Sequence, residues 1–182
     1  MPLLTQIKKR FLFSAFLILC CLVSAKGATA MQQQALSQEN KIKAAYVLNF
    51  TRYIQWPALA TFAQAPLHLC LASSADFYDF IANIILRANA SGLYRPIRLE
   101  NVAQAVNCEL TYLQNPVDPL LPQLRQSLLV VESAAIVQPK TAITFYISQK
   151  KVRFGINMDV INGLNIRVSS ELLKLARIKH NA

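Results

Sequence analysis

The chain is short of the residues from which most active sites are built. It has four glycines, and one of them, Gly27, lies in the N-terminal leader, so three remain for the body. No G-x-S-x-G elbow, Walker loop or dinucleotide-binding glycine fingerprint occurs, which removes the common backbone cradles for acyl and phosphoryl oxygens. Nine acidic residues are scattered without a pair spaced as an acid–base dyad. His68 and His180 are the only histidines. Cys70 with His68 two residues before it therefore lacks the further ligands that a metal site needs. No long Lys/Arg run survives beyond the leader and no nucleic-acid recognition motif is present. These absences point away from an enzyme, a metal, a cofactor and a nucleic-acid partner.

The leader itself is well marked. Lys8, Lys9 and Arg10 precede an uncharged run, FLFSAFLILCCLVSA, from Phe11 to Ala25. A basic segment, a short apolar run and small residues at Ala28 and Ala30 form the layout of a cleavable secretory signal over residues 1–30. The run is 15 residues long, short of the roughly 20 that span a bilayer as a helix. Cys20 and Cys21 suggest lipidation, but Leu19 is large where a lipid-modification site wants a small residue. Removing residues 1–30 takes four cations and no acid, so the formal charge falls from +10 to +6. Only Cys70 and Cys108 then reach an oxidising compartment, where two thiols are expected to pair.

The remaining 152 residues suit one domain. Residues 31–38 read as a loose lead and 39–182 as the folded part. In KIKAAYVLNFTRYIQW, helical spacing places Ile42, Ala45, Tyr46, Asn49, Tyr53 and Trp56 on one face, with Lys41, Lys43 and Arg52 on the wet side and Pro57 as the stop. LHLCLA at 67–72 is a buried strand bounded by turn residues. An amphipathic helix follows from Asp76 to Arg87 with Phe77, Phe80, Ile81, Ile84 and Ile85 inward. Further strands are expected at 96–102, 109–113 and 127–131, with helices at 120–126 and 133–137 between and after them. AITFYI at 142–147 and KVRFGIN at 151–157 stand close enough to be an antiparallel hairpin. Asn162 and Gly163 mark a turn, and Ser169 caps a last helix, SELLKLARIKH, with Leu172, Leu173, Leu175, Ala176 and Ile178 as its apolar face. Alternating strands and helices ending in a hairpin predict an α/β fold: a single domain with a mostly parallel sheet flanked by helices and a C-terminal antiparallel hairpin.

Three segments in order carry a resemblance. They are KAAYVLNFTRYIQWP from Lys43 to Pro57, LHLCLA with Cys70, and VRFGINMDVINGLNIRVSSELLKLA from Val152 to Ala176. Together they resemble the YfiR-like periplasmic proteins. The resemblance implies an exported, non-catalytic α/β repressor that binds the periplasmic domain of an inner-membrane diguanylate cyclase, lowering cyclic di-GMP and biofilm formation. It also implies a homodimer, an outer-membrane lipoprotein as a further partner, and a disulfide at the positions of Cys70 and Cys108. This chain has no cysteine after Cys108, where well-known members carry a second disulfide, and it has PKTA at 139–142 where the family tends to a glycine pair.

Arg52 near the end of the first helix and Arg167 just before the last are cations that could grip a carboxylate or phosphate. Arg153 alternates with Val152 and Phe154, so it points away from the core and joins them as a candidate partner contact. The rival reading is a periplasmic module that binds a small anionic ligand, motivated by the basic balance and by the ligand crevices found at strand ends in α/β sheets.

Overall fold

Strands that are largely apolar on both sides cannot leave either side in water, and the segments LHLCLA, LTYL, LLVVE and ITFYIS dictate the centre of this molecule. The computed structural model describes residues 36–56, 66–115, 127–133 and 141–180. Helix α1 (Gln38–Tyr53) leads into β1 (Ile54–Gln55). Then come β2 (Leu67–Ala72), α2 (Ala75–Arg87), β3 (Tyr94–Arg98), a 3-10 turn (Val102–Asn107), β4 (Leu110–Leu113) and β5 (Leu128–Glu132). The hairpin strands β6 (Ile143–Ser148) and β7 (Lys151–Asn157) follow, then α3 (Met158–Gly163), β8 (Arg167–Val168), α4 (Ser170–Leu175) and β9 (Arg177–Lys179). Ala35–Ala182 form one compact unit.

Seven strands make the main sheet in the order β3-β2-β4-β5-β6-β7-β9, and β1 pairs with β8 in a separate two-stranded antiparallel ribbon. From β3 to β6 all neighbours are parallel; β7 reverses against β6, and β9 runs parallel to β7. The expected α/β domain with a mostly parallel sheet and an antiparallel hairpin is what forms. Strand alternation sorts the side chains into two cores. Leu69, Leu71, Tyr112, Val130, Phe145 and Phe154 meet α1 and α2 on one face. Cys70, Leu113, Leu129 and Val131 meet Leu99, Ala105 and Cys108 on the other. Helix α1 is held by an aromatic cluster in which Phe50 lies 5.7 Å from Phe145 and 5.2 Å from Phe154 between ring centroids, with Tyr46 5.1 Å from Phe154.

That cluster corrects the helical face expected for α1. Ala44, Val47, Phe50, Thr51 and Lys43 are buried, whereas Ile42, Ala45 and Tyr53 are exposed. A helix apolar around most of its girth offers several faces of similar hydrophobicity, and stacking of Phe50 on the sheet aromatics selects one of them. Lys43 is carried inward with it, contrary to its expected place on the wet side. The helix also ends at Tyr53 instead of running to Trp56, because Ile54 and Gln55 turn extended to pair with Val168 and Arg167.

The last helix is shorter than expected. Ser169 caps it, accepting a hydrogen bond from Leu172 N–H at 3.3 Å, but Ala176 is extended and Arg177–Lys179 join β7 as an edge strand. Leu175 and Ile178, expected on the apolar face, are 62% and 40% exposed. Open hydrogen-bonding groups along β7 reward that strand more than another turn of helix would. Where only a turn was expected at Asn162 and Gly163, α3 forms, capped by the Asn157 side chain. The signal expected at 1–30, most of the lead at 31–38, the helix expected at 120–126 and all but Ser133 of the one expected at 133–137 lie outside the described residues.

Candidate functional site

Strand β5 reads LLVVE, four buried aliphatic residues and then a carboxylate at its carboxyl end. Glu132 meets Lys43, whose Nζ lies 2.5 Å from Glu132 Oε2 and 2.5 Å from Glu39 Oε1 one helical turn earlier. The Tyr112 hydroxyl, from β4, donates to Glu132 Oε1. Lys43 is 6% exposed at its side chain, Glu132 19% and Glu39 47%, so the cluster runs from the core to the surface.

Burial alone would lower the pKa of Lys43, but hydrogen bonds to Glu132 and Glu39, together with their charges, outweigh it and hold the ammonium above its ordinary 10.5. Tyr112 is pushed well above its ordinary 10.0, first by burial and then by the charge and hydrogen bond of Glu132. A lysine held protonated and a phenol held neutral supply neither a base nor a nucleophile near neutral pH. In these states both side chains act as hydrogen-bond donors toward Glu132.

Glu39, Lys43, Glu132, Ser133, Phe145, Tyr146 and Ile147 line a cleft of about 260 Å³ over the carboxyl-terminal parts of β5 and β6. Crevices in open α/β sheets form at this end of the strands. The point where strand order reverses, between β2 and β4, is instead bridged: Gln114 accepts from Ser74 N–H at 2.9 Å and its own N–H donates to Ala72 O at 3.0 Å.

On the opposite face, Cys70 and Cys108 are joined by a disulfide with their Cα atoms 5.9 Å apart, and both are buried. Beside it, Glu109 Oε2 accepts the His68 backbone N–H at 2.6 Å and lies 3.2 Å from His68 Nδ1.

The three arginines singled out from sequence are all exposed, and the fold divides them. Arg52 closes α1 and Arg167 lies in β8, paired with Gln55, so both belong to the corner where Ser169 N–H bonds Tyr53 O at 2.9 Å. Arg153 stands on β7 beside Tyr146 of β6, on the sheet face turned away from α1. The Lys43 cluster was not found from sequence. Its signals were a lone acid ending an aliphatic strand and an i,i+4 Glu39/Lys43 pair, which individually read as a strand terminus and a solvated helix pair.

Fold and cluster define a class: an α/β domain with a disulfide-bonded core and a charged cleft at the strand ends. Residues 40–177 match the family described as YfiR/HmsC-like, and the chain belongs to that family. A solved structure described as the ABC domain in complex with L-Trp from Streptococcus pneumonia is similar at 12% identity and a TM-score of 0.44, over 73% of this chain and 62% of that one. This chain thus spans less than two thirds of that structure's length.

Proposed function

We propose that this protein is a non-catalytic regulator, exported with loss of residues 1–30, that binds the periplasmic domain of an inner-membrane diguanylate cyclase and restrains it. The observation that carries the reading is the family match across residues 40–177. The protonated Lys43 and neutral Tyr112 support a binding role over a catalytic one. Among the described residues no helix is long and apolar enough to cross a membrane. A homodimer and contact with an outer-membrane lipoprotein complete this reading.

Deleting the gene in the native host should raise cyclic di-GMP, and the tagged protein should capture an inner-membrane cyclase after crosslinking from the periplasmic side. Unchanged nucleotide with no cyclase captured would reject the proposal.

The cleft favours a second reading, a small-molecule binding module. Its volume, about 260 Å³, is at the lower end of ligand pockets. The anionic ligand suggested by overall charge is disfavoured there, since Glu39 and Glu132 would repel it and Lys43 is already paired to both. A thermal-shift screen that finds a strongly stabilising small cation or zwitterion, with no protein partner captured, would favour this reading over the first.

A further inference from the structure

Strand register gathers cations on the sheet face opposite α1. Gly155 of β7 pairs with Thr144 of β6 and Arg177 of β9, Arg153 pairs with Tyr146, Lys151 with Ser148, and Asn157 with Lys179. Paired residues point to the same side of a sheet and alternate residues along a strand share it. Lys151, Arg153, Arg177 and Lys179 therefore project from one face along two adjacent strands. All four are exposed. The ion pairs of the described residues engage Lys43, His68 and His180 and none of these four. Asp159, just beyond β7, sits 3.6 Å from His180 Nδ1.

The layout is linear. Alternate residues of a strand stand about 6.6 Å apart and neighbouring strands about 4.8 Å, so the four cations form a strip about 20 Å long with near-regular steps. Alternate side chains of an extended peptide have the same step. Among the described residues β9 is the last strand in the order. Among the described residues the exposed apolar side chains nearby, Ile147 and Ile178, alternate onto the opposite side, so they give this face no apolar rim for membrane insertion.

We infer that the outer face of β7 and β9 is a docking strip for an extended acidic segment of a partner protein, its alternate carboxylates meeting Lys151, Arg153, Arg177 and Lys179. The inference rests on the regulator reading only for the identity of that partner. Charge complementarity of this kind steers encounter and fixes register more than it adds affinity.

The test uses a fluorescent synthetic peptide of alternating Glu and Thr, about ten residues long to cover the strip, and follows its anisotropy with the protein produced from the full chain. The peptide should bind at low salt and release as ionic strength rises past about 0.1 M. Joint reversal by Arg153→Glu and Arg177→Glu should weaken it about tenfold or more, while Arg87→Glu on α2 leaves it unchanged. If the reversed protein has a lowered thermal midpoint, Lys151→Gln with Lys179→Gln replaces it and should weaken binding severalfold. Equal loss from Arg87→Glu, equal binding of a peptide with its Glu residues in one block, or no binding would overturn the strip. Preferential binding to phosphatidylglycerol vesicles would overturn it in favour of a membrane. Cyclase capture that survives both sets of substitutions would reject the strip and leave the regulator standing; peptide binding without cyclase capture would do the reverse.

Discussion

Lys43 gives up nearly all of its hydration when α1 docks, a loss of several kcal/mol for an ammonium. Two carboxylate contacts at 2.5 Å offset it. Removing the lysine from such a group costs more than the group contributes as a whole, because the largely buried Glu132 keeps the Tyr112 hydroxyl but loses its counter-charge. Lys43→Met is expected to destabilise the protein by about 3 kcal/mol, the lower end for a buried pair, since Glu132 keeps 19% exposure. Urea denaturation checks it, and adding Glu132→Leu should recover part of the loss. The same cluster sets an alkaline limit. Lys43 and Tyr112 both have raised pKa values in the fold. Each therefore contributes stability that is fully present below its ordinary value, 10.5 and 10.0, and that fades as pH rises beyond it. Thermal midpoints measured from neutral pH upward should fall above about pH 10, and less steeply in Tyr112→Phe. None of this was legible at Lys43 itself, because a lysine on an ambiguous helix reads as solvated until the packing partner of that helix is known.

At the level of elements, the hairpin between β6 and β7 turns through Gln149 and Lys150, with φ of 50° and 60°. Two central residues at positive φ suit a two-residue hairpin, a geometry that usually recruits Asn and Gly. Holding a lysine there costs roughly 1 kcal/mol. Lys150→Gly should raise stability by up to about that amount, read as a higher urea midpoint with an unchanged slope. The hairpin was plain in the sequence, since two apolar runs flank a short polar link. Strand β9 was not, because Arg177 to Lys179 continue the helical spacing of α4 and only the unpaired edge of β7, distant in sequence, makes them a strand. At the other edge, β3 carries Pro96, which withholds an amide and blunts edge-to-edge pairing.

Across the whole molecule, the disulfide ties β2 to the segment just before β4 and encloses α2, β3 and the 3-10 turn within a separation of 38 residues. On the loop-entropy model such closure stabilises by roughly 3 to 4 kcal/mol. Reduction, or Cys70→Ser with Cys108→Ser, should lower the unfolding free energy by about that much, measured by urea denaturation with and without reductant. Sequence by itself determined the strand runs, the hairpin and the α/β class, because each is written in local periodicity and composition. Tertiary structure decided which face of α1 is buried, that Lys43 meets Glu132 and Tyr112, and that four cations from β7 and β9 share one face. Those outcomes depend on register and packing between segments far apart in the chain, which no local pattern encodes.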